Sequence, residues 1–93
     1  MRILLADDHA LFRDGLASLV GAWGHEVVAL AGSGDDAVRM VDATRPDLVL
    51  MDIKLTGGMN GIEAATKIYQ RFNIPVVFVT ALIDHSHLDQ AVK

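Results

Sequence analysis

The sequence predicts an α/β domain, a parallel sheet covered by helices, on three observations. Four short apolar runs rich in β-branched residues, Ile3 to Ala6, Val27 to Ala31, Leu48 to Met51 and Val76 to Val79, read as strands buried on both faces. Longer amphipathic stretches separate these runs, so a strand-like and a helix-like period alternate along the chain. Hydrophobic residues make up 52% of 93 residues, which suffices for one core, and no linker or low-complexity segment divides residues 1–93 into more than one domain. Such alternation requires right-handed crossovers between parallel strands, with helices against the sheet.

The elements follow in order. The first strand closes on Asp7-Asp8. Leu11, Phe12, Leu16, Leu19, Val20 and Trp23 then recur at spacings of three and four, a helical stripe in which Trp23 is read as a packing residue. Gly24 is placed for the left-handed residue that ends such a helix. The second strand ends blandly in Ala31-Gly32. The stretch Gly32-Ser33-Gly34-Asp35-Asp36-Ala37 matches the G-x-G-x-x-A of a dinucleotide turn, but two acids in the first helical turn repel a pyrophosphate while suiting the helix dipole. The glycines are therefore read as a turn. Ala37, Val38 and Val41 form a second helical stripe that stops before Pro46. Pro46-Asp47 opens the third strand, which closes on Asp52. Ile62, Ala65, Ile68, Tyr69 and Phe72 form the third stripe, and Pro75 opens a fourth strand ending in Thr80. From about Asp84 a fourth amphipathic segment places Leu88, Ala91 and Val92 on one side. His85 and His87 are read as exposed helix residues, because only Asp84 and Asp89 nearby offer a third metal ligand.

Composition excludes several classes of function. Eight basic against twelve acidic residues give a net charge of −4, the wrong sign for a segment that grips nucleic-acid phosphates. Cysteine is absent, and with it disulfides, thiolate metal sites and a cysteine nucleophile. The apolar runs fall far short of the ~20 residues of a membrane span. The chain turns acidic at Asp7, too early for a secretory signal, so a cytoplasmic location is expected.

Ligand sites in open parallel sheets lie beyond the carboxyl ends of the strands. Asp7, Asp8, Asp52 and Thr80 all stand there. If strands one and three are neighbours, three carboxylates meet, which either favours protonation of one of them or calls for a cation. The expected donors are oxygens, and they suit a hard ion such as Mg²⁺, which takes one or two carboxylates, keeps waters and shares a position with phosphate. Each residue also has a plainer reading: Asp8 as the N-cap of the first helix, Thr80 as a β-former at a strand end.

The motifs resemble a known family. Leu4-Leu5-Ala6-Asp7-Asp8-His9-Ala10-Leu11-Phe12-Arg13-Asp14-Gly15-Leu16, Arg45-Pro46-Asp47-Leu48-Val49-Leu50-Met51-Asp52, Asn60-Gly61-Ile62-Glu63-Ala64 and Pro75-Val76-Val77-Phe78-Val79-Thr80-Ala81 are similar to the ordered motifs of response-regulator receiver domains of two-component signalling. The resemblance implies a flavodoxin-like, doubly wound parallel sheet in the order 2-1-3-4. It implies that Asp52 accepts a phosphoryl group from a sensor histidine kinase or phosphotransfer protein. Asp7, Asp8, Asp52 and the Lys54 backbone carbonyl would then hold Mg²⁺, and Thr80 would bind the phosphoryl group and move as a switch. The expected role is a signalling phosphoacceptor, not an enzyme with turnover.

The sequence departs from the family in three places. The family's fifth strand, with its lysine, and its fifth helix have no counterpart before Lys93, so the domain is expected to be C-terminally incomplete. The loop Ile53 to Met59 is one residue longer than usual, with Thr56 where proline is common, and Asn60 replaces a frequent aspartate. A fourth strand left at the edge invites pairing, so self-association through that edge or the fourth helix is expected unless the chain belongs to a longer protein. Two other functions compete: a Mg²⁺-dependent phosphohydrolase with an aspartyl nucleophile, and a degenerate receiver acting only as an interaction surface. The hydrolase normally carries a second acid two residues after its nucleophile, where this chain has Lys54.

Overall fold

A computed structural model of the protein describes residues 1–55 and 58–79. Its elements are β1 (Arg2–Ala6), α1 (Ala10–Ala22), β2 (Glu26–Ala31), α2 (Gly34–Thr44), β3 (Leu48–Met51), α3 (Gly61–Phe72) and β4 (Val76–Phe78). All strand pairs are parallel, and the order is β2-β1-β3-β4, as the resemblance implied for a flavodoxin-like fold. The strands begin and end within one residue of the apolar runs. β4 stops at Phe78, although the Val79 N–H still donates to the Met51 carbonyl at 2.8 Å. The fourth amphipathic segment, Thr80, His85 and His87 lie outside the described residues.

Period-two alternation divides the sheet into two faces. Leu4 and Ala6 of β1, with Val49 and Met51 of β3, meet Ala37 and Val41 of α2 and Ala64 and Ile68 of α3. Ile3 and Leu5 point the other way, toward Val20, Leu16 and Ala17 of α1. β1 and β3 occupy the middle of the sheet, which is why their runs carry no polar alternation. β4 is the edge among the described residues, and Val77 and Phe78 are exposed.

The helix ends have local causes. The Ser33 hydroxyl accepts from the Asp36 N–H at 3.1 Å, and the Asn60 side-chain carbonyl accepts from the Glu63 N–H at 2.8 Å, so each satisfies an orphan donor of α2 or α3. α2 and α3 end on left-handed residues, Arg45 and Asn73. Gly24 has φ +90°, the left-handed role its position predicts after α1.

The helical stripes need correction. In α1 only Val20 is buried; Leu11 is 86% and Trp23 66% exposed, and Leu19 is exposed too. At 100° per residue Leu11 lies half a turn round from Val20, and Trp23 follows the last helical residue, so neither reaches the sheet. In α3 the inward line is Gly61, Ala64 and Ile68, whereas Ile62 and Tyr69, placed in the stripe by hydrophobicity, face solvent. Small residues set that line because α3 lies against backbone: a Cβ on Gly61 would collide with the Asp52 carbonyl oxygen.

Candidate metal-binding site

The β1–β3 register pairs Ala6 with Met51, so the next residues, Asp7 and Asp52, leave the sheet side by side at its carboxyl edge. Their backbones stay tied to it. The Asp7 N–H donates to the Ala31 carbonyl at 3.0 Å, and the Asp52 N–H donates to the Ala6 carbonyl at 2.8 Å. Both aspartates are 4% exposed, the only buried charged residues among those described. Each carboxylate also closes a local turn: Asp7 Oδ1 accepts from the His9 N–H at 2.7 Å, and Asp52 Oδ1 accepts from the Lys54 N–H at 2.9 Å.

Asp8 completes the expected trio, but not as a helix cap. The N-cap of α1 is His9, whose side chain makes no capping bond. Asp8 instead stands beside the imidazole, with its Oδ1 3.0 Å from His9 Nδ1. One ligand atom from each of Asp7, Asp8, His9 and Asp52 lies within 4.8 Å of all the others. His9, which directly follows Asp8 in the sequence, thus stands beside the three expected carboxylates, a neighbour the sequence reading did not single out.

The electrostatics call for a counter-ion. Two unit charges 4.8 Å apart repel by about 3.5 kcal/mol at an effective dielectric of ~20. An exposed ion pair, worth at most about 1 kcal/mol, does not offset that. The histidine side chain is 70% exposed and so falls in this weak class. A divalent cation does offset it, and the donor chemistry fits one: carboxylate oxygens from two adjacent strand ends, with solvent access on the Asp8 side.

Neighbouring residues hold the frame. Arg13 Nη1 donates to the Asp7 carbonyl at 3.0 Å, and the same atom lies 3.4 Å from where a Gly32 Cβ would stand. Gly61 lets the start of α3 approach Asp52 and Ile53, and Gly34 lets the start of α2 approach the Met59 carbonyl. Of the two glycines of the G-x-G stretch, Gly34 is accounted for by close packing against backbone, whereas exposed Gly32 is not. Lys54 is exposed next to Asp52, while Thr56, Gly57 and Thr80 lie outside the described residues.

Comparison with known proteins matches this arrangement. The family model of the response regulator receiver domain matches residues 3–93. The transcriptional regulatory protein PdtaR of Mycobacterium tuberculosis is 38% identical over 90 residues, covering 97% of this chain and 43% of that protein. The chain thus spans less than half the length of that relative. Among solved structures, the signal receiver domain of a modulated diguanylate cyclase from Desulfovibrio desulfuricans G20 aligns with a TM-score of 0.86 at 30% identity, over 98% of this chain and 73% of that one. PhyR from Bartonella quintana, solved in complex with the anti-sigma factor NepR, aligns with a TM-score of 0.82 at 33% identity, over 90% of this chain and 35% of that one. On its sequence, its sheet order and its clustered strand-end acids, the chain belongs to the response regulator receiver domain family.

Proposed function

We propose that residues 1–93 act as one domain, a phosphoacceptor of two-component signalling in which Asp52 takes the phosphoryl group. The observation that carries this reading is the convergence of buried Asp7 and Asp52 with Asp8 at the carboxyl edge of β1 and β3. A carboxylate oxygen of Asp52 forms the new P–O bond as the P–N bond of a phosphohistidine on a sensor kinase or phosphotransfer protein breaks, and the imidazole leaves with the electron pair. Asp7, Asp8, Asp52 and the Lys54 carbonyl would hold Mg²⁺, which would offset charge on the phosphoryl oxygens. Asp7 and Asp52 orient through their backbone ties to the sheet, so the nucleophile is positioned before the partner arrives. Thr80, the residue after the fourth apolar run, binds the phosphoryl group carried by Asp52 and couples its arrival to the segment that follows.

The domain is a switch that selects partners and not an enzyme with turnover, and it works in the cytoplasm. Among the described residues no helix is long and apolar enough to cross a membrane. An acidic surface of net charge −4 assigns any nucleic-acid contact of the whole protein to another part of it. The exposed β4 edge supports self-association there or through the following segment. A protein effector is the second kind of partner, supported by the complex of PhyR with an anti-sigma factor.

Intact mass after incubation with acetyl phosphate and Mg²⁺ tests the reading. One phosphoryl adduct is expected, absent in Asp52→Asn. No adduct, or one that survives Asp52→Asn, overturns it, and sustained hydrolysis of unrelated phosphoesters would favour the phosphohydrolase.

A further inference from the structure

His9 stands in the acidic cluster without a task in the reading above. Its position in the chain is that of an N-cap, where Ser, Thr, Asp or Asn normally contribute about 1 kcal/mol by bonding a free helix N–H. His9 makes no such bond. Its backbone N–H is held by Asp7 Oδ1 at 2.7 Å, and its ring is turned back onto the carboxylates.

One of the distances is that of neighbouring ligands in a coordination shell. Two ligands at right angles around an ion at about 2.1 Å lie about 3.0 Å apart. His9 Nδ1 is 3.0 Å from Asp8 Oδ1 and 3.5 Å from Asp7 Oδ1. One nitrogen and carboxylate oxygens from three aspartates thus lie within 4.8 Å of one another, so small side-chain movements bring them onto one ion. Imidazole is a poor partner for Mg²⁺ and a good one for the borderline transition dications.

We propose that His9 Nδ1 is a metal ligand, and that the cluster binds a transition dication of the Mn²⁺, Co²⁺, Ni²⁺ or Zn²⁺ class more tightly than Mg²⁺. This rests on the reading of the cluster as a dication site and adds to it a donor and a metal preference. The open side of the site, where the His9 side chain is 70% exposed, leaves positions for water or a phosphoryl oxygen.

The test is calorimetric titration of the 93-residue chain with Ni²⁺ and with Mg²⁺, with pulsed electron paramagnetic resonance of the Mn²⁺-loaded protein. His85 and His87 are replaced by alanine in every arm, which removes the H-x-H pair as a competing nickel site. In His9→Ala the Ni²⁺ affinity is expected to fall at least about tenfold, the loss that even an indirect metal partner produces. Mg²⁺ affinity stays within about twofold, and the nitrogen coupling of Mn²⁺ disappears. Asp8→Asn is expected to weaken both ions, which locates them at this cluster. An unchanged Ni²⁺ to Mg²⁺ ratio in His9→Ala, persistent nitrogen coupling, or nickel binding untouched by Asp8→Asn overturns the proposal and leaves the Mg²⁺ reading standing. Absence of any dication binding by the parent chain overturns both.

Discussion

The two faces of the sheet are built differently. On the α2–α3 face eleven buried residues, from Leu4 to Ile74, form one continuous cluster. On the α1 face, among the described residues, only Ile3, Leu5 and Val20 are buried, and Leu16, Val27, Leu48 and Leu50 pack around them half-exposed. Two described helices cover the first face and one the second, and small residues add to that difference. Gly34, Ala37, Gly61 and Ala64 let α2 and α3 settle close to backbone, whereas α1 turns Leu11 and Leu19 outward. Helix number and close approach together make one face solid, and the solid face carries the loop that follows Asp52.

The strongest way to break that contrast is to open a cavity on each side. Ile68→Ala, at a fully buried site, is expected to cost about 2–5 kcal/mol in urea unfolding, and Leu16→Ala, half-exposed on α1, no more than about half as much. Equal losses would show that the faces are alike. A second substitution tests close approach itself. Gly61→Ala places a Cβ against the carbonyl oxygen of Asp52, so a loss of about 1–3 kcal/mol is expected, with weaker dication binding in a titration. Unchanged stability and affinity would mean that α3 shifts aside without moving the loop. The smallest effect sharpens the comparison: Leu11→Ser should stay within about 0.5 kcal/mol by thermal unfolding, because the side chain it removes is 86% exposed.

The same contrast explains what was legible in the sequence. Strands were placed within one residue because uninterrupted β-branched runs have few other uses; β1 is enclosed on both faces, and β3 is buried on one and half-covered on the other. The acids were legible for a topological reason: strand ends of a parallel sheet share one edge, so Asp7, Asp8 and Asp52 had to converge once β1 and β3 were neighbours. Helix faces were legible in part. Ala37 and Val41 of α2, Val20 of α1 and Ile68 of α3 are buried as their stripes predicted, whereas counting apolar side chains also placed Leu11, Leu19, Ile62 and Tyr69 inward and passed over Gly61 and Ala64. Trp23 fails for another reason, since it stands past the end of its helix. His9 was overlooked because hard-ion reasoning looks for oxygens, although its place beside Asp8 was in plain view.

The central position of β1 also sets an order in time. The pairing of β1 with β3 joins segments far apart in sequence: the Arg2 N–H donates to Asp47 across 45 positions at 2.8 Å. Local helices form in about a microsecond or less, but contacts of such separation wait on loop closure and dominate the folding time. On a growing chain, Asp7 emerges several seconds before Asp52 at about 5–20 residues per second. The acids whose mutual repulsion would oppose collapse are thus kept apart until β2 and α2 have been made. On the proposed reading the dication site is complete only once the middle of the sheet has closed, so metal uptake followed during refolding in the ion's presence times that event.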